Sequence, residues 1–204
     1  MKAILGILVV LVLALGVWLS LSLGQTAPGT VATTTPVALV PAGWSQFSSA
    51  QFSIQYPQAY TPDEQYSYTG LGPGKEIAGV KFAIDPRVAT GTNLSADSYI
   101  SVEHMPSAIN SCSAEIYLAD AHSAGFFDEA GRRYSVATST GAAAGNRYEE
   151  VVFATPAAQG CIAVRYFVHY GVLENYPEGT VQAFDRAALF SQFDAIRRTL
   201  TIAQ

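Results

Sequence analysis

The chain has 204 residues, half of them hydrophobic and only 13% charged, with a net charge of −5 at neutral pH. That length suggests one domain with an appendage. A mildly acidic chain without a basic tract argues against a nucleic-acid surface, which needs clustered Lys and Arg to meet phosphates. The pairs Arg132-Arg133 and Arg197-Arg198 read as solvated strand and helix termini.

Ala3–Leu23 carries no side-chain charge and is mainly Leu, Val, Ile and Ala. As a helix it would reach about 31 Å, enough for a bilayer core. Lys2 precedes the run and the next basic residue is Lys75, so positive-inside bias keeps the N-terminus in the cytoplasm and exports the remainder of the chain. A cleaved signal peptide is the competing reading, with Ser22-Leu23-Gly24 as the processing site, and would make the protein secreted. We therefore expect a transmembrane anchor or signal peptide over 1–24, a Thr/Pro/Ala-rich linker over 25–43 and an extracytoplasmic domain over 44–204, at the periplasm or cell surface. Pro28, Pro36 and Pro41 favour an extended linker.

The folded part opens with a hairpin at Trp44–Pro57, where Phe52, Ile54 and Tyr56 alternate with Ser53 and Gln55. A polar loop, 58–74, carries Tyr60, Tyr66 and Tyr68. Strands come next at Glu76–Ile84 and Ser98–Met105, stopped by Pro86 and Pro106. Ser111 or Ser113 is expected to cap a short helix running through Leu118 to Ala124. Gly131–Thr140 alternates again. The strongest signal is a hairpin of Arg147–Ala154 and Cys161–Tyr170 about a Thr-Pro-Ala-Ala-Gln-Gly turn. Its second strand sets Ile162, Val164, Tyr166, Val168 and Tyr170 on one face and Cys161, Ala163, Arg165, Phe167 and His169 on the other, so it is placed at the centre of the sheet. Last comes a helix over Asp185–Thr199 with Asp185 as N-cap and a stripe of Leu189, Phe193, Ile196 and Leu200. Arg197 and Arg198 fall in its final turn, where the helix dipole favours cations. The fold class is α+β: an antiparallel sheet of about six or seven strands packed by one long C-terminal helix and one shorter helix.

Cys112 and Cys161 are the only cysteines. In an exported chain a pair points to one disulfide, here joining the short helix to the central hairpin. Closing a loop of about 50 residues stabilises by roughly 4 kcal/mol in the chain-entropy model. Phe52-Ser-Ile-Gln-Tyr-Pro57 and Phe193-Asp-Ala-Ile-Arg-Arg-Thr-Leu-Thr-Ile202 resemble segments of the PsbP-like superfamily. The resemblance implies an α/β/α sandwich, a place outside the cytoplasm and a non-enzymatic accessory role; it supplies no catalytic set.

Three chemistries can be read from the residues. Ala121-His-Ser-Ala-Gly125 looks like part of a nucleophile elbow, and Ser123 with His169 would make a small serine hydrolase; the first glycine of that motif is missing. Arg165 and His169 share a strand face and could bind an anion, or pair with neighbouring carboxylates. Tyr60, Tyr66 and Tyr68, if exposed, would form an aromatic patch for a protein, peptide or glycan partner; folded back, they would cover the sheet edge. His104, His122 and His169 have no ligand spacing, so neither metal nor cofactor is expected. Asn93-Leu94-Ser95 fits the glycosylation acceptor pattern. The leading expectation is a membrane-tethered, non-catalytic accessory or binding domain, with a purely structural spacer as a further alternative.

Overall fold

The computed structural model describes residues 40–108 and 110–203. The anchor or signal peptide expected over 1–24, and the expected 25–43 linker as far as residue 39, lie outside the described residues. Among those described, no helix is long and apolar enough to cross a membrane.

In chain order the elements are β1 Trp44–Ser48, β2 Phe52–Pro57, β3 Thr61–Asp63, β4 Ser67–Tyr68 and β5 Ile77–Ala83. They continue with α1 Pro86–Ala89, β6 Tyr99–Met105, a 3-10 turn Ala114–Tyr117, β7 Ser123–Glu129, β8 Arg132–Ala143, β9 Asn146–Ala157 and β10 Gly160–Gly171. A second 3-10 turn at Leu173–Asn175, α2 Arg186–Arg197 and β11 Thr201–Ile202 complete the domain. The class is α+β, but the sheet is not single. Seven strands run in the order β3-β5-β6-β10-β9-β8-β7, with β4 also pairing β5, and β1-β2-β11 form a separate three-stranded sheet. All the named strand pairs are antiparallel.

β10 pairs β9 along its whole length and β6 from Cys161 to Phe167, as its two-sided burial demands. Its Ile162, Val164, Tyr166 and Val168 are buried in one cluster with Val80, Phe82, Ile100 and Val102 of the neighbouring strands. The same cluster holds Phe52 and Ile54 of the small sheet and Leu189, Phe193, Ile196 and Leu200 at α2. The small sheet and α2 therefore share one face of the large sheet, sealed by edge-on and tilted contacts of Phe47 and Tyr56 with Phe82. α2 starts where the sequence places it: the Asp185 carboxylate accepts from the Ala188 amide at 2.9 Å.

The expected short helix over 111–124 does not form. The chain makes a single 3-10 turn at Ala114–Tyr117 and then enters strand β7, and the four-residue α1 lies elsewhere, after Asp85. The reason is long-range packing. Ala108, Ala114, Tyr117 and Leu118 are buried against Ala137, Val152, Ala154, Cys161 and Ala163, a patch of small side chains on the sheet's second face. A flat cover segment fits closely over alanines. The Ala114 amide bonds the Ser135 hydroxyl at 2.9 Å and the Tyr117 hydroxyl bonds the Cys161 carbonyl at 2.7 Å. The Cys112–Cys161 disulfide is present, with Cα atoms 5.2 Å apart, and ties this cover to β10.

Candidate functional site

Arg165 projects from β10 into the boundary between the covered and uncovered halves of the second face, and its side chain is 0% exposed. Its Nε and Nη2 donate to the two oxygens of Glu103 at 2.8 and 2.9 Å, Nη2 also reaches the Tyr117 carbonyl at 2.7 Å, and Nη1 pairs with Glu150. The Tyr68 ring lies 3.4 Å from the guanidinium carbon, a cation–π contact away from bulk water. Glu103, equally buried, also accepts from Ser101 at 2.8 Å and from Tyr66 at 3.4 Å. A buried ion pair persists only when every partner is satisfied in this way. Burial acts to lower the Arg165 pKa, but Glu103 and Glu150 outweigh it and hold the guanidinium charged. The Tyr68 hydroxyl is pushed up to about 12, chiefly by burial. Arg165 is thus fully spent inside the protein and is not free for an external anion.

His169 does not join it. It stacks on Tyr148 at 4.6 Å and its Nδ1 contacts the Asp97 carboxylate at 2.8 and 3.0 Å. Its Nε2 is buried without a hydrogen-bond partner among the described residues. Nor does it meet Ser123: β7 and β10 are separated by β8 and β9, and the register carries Ser123 through Thr138 and Val151 to Tyr166, three residues short of His169. The pair invoked for a hydrolase is not brought together. Asn93 is committed too; its amide donates to the Gly171 carbonyl at 2.7 Å and accepts from the Phe184 amide at 3.0 Å. That is a buried structural role rather than a glycan acceptor.

The three tyrosines of the 58–74 loop do not form an exposed patch. Tyr60 is buried in the helix-side core with its hydroxyl on Gln192 at 3.0 Å, and Tyr68 lies under the cover against Arg165. Tyr66 alone keeps partial exposure. It turns edge-on to Tyr99, with hydroxyls 2.9 Å apart.

Beyond Tyr66 and the β10 alternation, sequence spacing held no hint of what the topology assembles. Tyr99 on β6 stacks on Phe167 of β10 at 4.8 Å and 18°; Phe167 touches Tyr148 of β9 at 6.2 Å, and Tyr148 stacks on His169. These five rings, all partly exposed, form a row across the sheet, with Lys81 5.5 and 5.6 Å from the Tyr66 and Tyr99 rings at one end. Tyr99–Phe167 and Tyr148–His169 turn flat faces on one another, so those faces are covered within the row. The alternation of β10, with Phe167 and His169 following Arg165, was the one visible signal.

A second buried cation sits on the helix side. Arg197, 1% exposed, is not a solvated helix terminus. Its Nε donates to Tyr166 at 2.8 Å, Nη2 to Asp194 at 3.0 Å, and Nη1 pairs with Glu129; the rings of Phe153, Phe127 and Tyr134 surround it at 4.3, 5.2 and 5.5 Å. Burial acts to raise the Glu129 pKa, but hydrogen bonds from Arg198 and Arg197 outweigh it and hold the carboxyl below its ordinary 4.5. A depressed carboxyl adds stability above its unfolded pKa, and that stability is lost as pH falls through the folded value. Glu129→Gln is therefore expected to flatten the acid limb of stability below about pH 4.5, read by urea midpoints across pH; an unchanged limb would exclude this role.

No family model matches the chain, and no curated protein matches it. Among solved structures, a protein of Bacteroides thetaiotaomicron VPI-5482, determined at 1.50 Å resolution, is similar at 16% identity with a TM-score of 0.45. The alignment covers 78% of this chain and 48% of that one, so the chain spans about half the length of the structure it matches.

Proposed function

We propose that this chain is a non-catalytic accessory domain, tethered to a membrane on its extracytoplasmic side, that binds a protein or peptide through the aromatic row Tyr66–Tyr99–Phe167–Tyr148–His169. The observation that carries the binding reading is the row itself: five partly exposed rings side by side on one sheet face. Protein surfaces rarely leave aromatic rings together in water unless something meets them. A sugar stacks on an open flat ring face, and here Tyr99 and Phe167, and Tyr148 and His169, cover faces of one another. This favours a polypeptide over a glycan. The disulfide supports an oxidising compartment. A PsbP-like sandwich remains the proposed family architecture, supported by the antiparallel sheet with α2 on one face.

The test is a photo-crosslinking residue at Tyr148 in the full chain, in its own cells. A discrete adduct that falls at least tenfold when Phe167→Ser is added, with little change in melting temperature, is the expected result. An adduct indifferent to Phe167→Ser, or none, would return the domain to a spacer role.

A further inference from the structure

The two outer edges of the large sheet are treated differently. One is blunted: β3 has only three residues and includes Pro62, and β4 has two. Short edge strands and edge prolines are the usual protection against pairing with another chain. The other edge, β7, is seven residues long, Ser-Ala-Gly-Phe-Phe-Asp-Glu, without Pro or Lys, and pairs only β8. Ala124 to Asp128 are all exposed, Phe126 at 70% and Phe127 at 39%. Among the described residues nothing lies across it.

We propose that β7 pairs antiparallel with β7 of a second copy of this chain, about a two-fold axis at Phe126. The strand is complementary to itself in that register. Phe126 meets Phe126 of the copy on the face where each is already capped by its own Arg133, 4.4 Å from the ring. On the opposite face Gly125 stands across from Phe127 of the copy. Nothing lies within 4 Å of a Cβ placed on Gly125, so an incoming ring has room to cover it, as aromatic side chains cover strand glycines. Asp128 falls opposite Ala124, and no like charges oppose one another. The strand's free amides and carbonyls gain partners, and the interface is one strand pair, smaller than most stable dimers bury. The dimer is therefore reversible and concentration-dependent.

Residues facing each other across such an axis have Cα atoms roughly 5.5 Å apart, within disulfide reach. The native cysteines are joined to each other, so Phe126→Cys adds a single thiol. Full-length Phe126→Cys is expected to form a cross-linked dimer under mild oxidation, whereas Thr140→Cys, also exposed, is not. Full-length wild type should sediment as a monomer–dimer mixture, and Phe126→Lys should raise the dimer dissociation constant at least tenfold without altering the melting temperature. Ala124→Lys serves as a second variant should the first misfold. A monomer at all concentrations up to about 0.5 mM, a range that reaches weak association, overturns the proposal. So does a dimer that both lysine variants leave intact, because the contact then lies elsewhere, as in the leader.

Discussion

Arg165→Met is expected to destabilise the domain by roughly 3–5 kcal/mol, the cost of stranding a buried charge. Glu103 has a fully buried side chain and takes two hydrogen bonds from this guanidinium; without them its carboxylate keeps only Ser101 and Tyr66. Tyr68 also loses the cation beneath its ring. At about 2–4 °C per kcal/mol for a domain of this size, the melting temperature should fall by around 10 °C. Arg165→Lys should recover little, since an ammonium cannot bridge both carboxylate oxygens while also reaching the Tyr117 carbonyl. Arg165→Met combined with Glu103→Leu should recover most of the loss, because removing both charges removes the stranded one. A loss below about 1 kcal/mol in urea titration would mean that water reaches this cluster.

Cys112→Ala with Cys161→Ala is the second large effect, roughly 4 kcal/mol from the freed loop entropy of the unfolded chain. The bond fastens the cover segment to β10 beside the Tyr117 contacts, so the loss should be uneven. Hydrogen exchange should speed up first at residues 114–118, ahead of β9 and β10. Uniform loss of protection, with the cover opening only together with the sheet, would show that packing on the alanine patch holds it without the bond.

The parts of the fold legible in sequence are those whose signal is local. The β9–β10 hairpin, the Asp185 cap and the Leu189–Phe193–Ile196 stripe each arise from periodicity, and one strand's alternation was enough to place Arg165 and His169 on the same face. What escaped depends on partners far along the chain. The 111–124 stretch has helix-forming residues, yet a sulfur bridge and the Tyr117 contacts hold it flat on the sheet. Arg197 fits a helix terminus until Phe127, Tyr134 and Phe153 arrive from three different strands. Spacing could not say which of three loop tyrosines would face water, because Tyr60 and Tyr68 are buried on opposite faces of one sheet. Tyr99 and Tyr148 carried no signal at all, because a row across strands is a property of register.

The three-stranded sheet sets a schedule for folding. β2 is flanked by β1, its immediate neighbour in sequence, and by β11, far along the chain; the Thr199 hydroxyl accepts from the Gln55 amide across 144 positions. Phe52 and Ile54 therefore have no complete lid until synthesis has reached Thr201 and Ile202. Closing so long a loop is slow, and in the meantime those side chains are exposed to other unfinished chains.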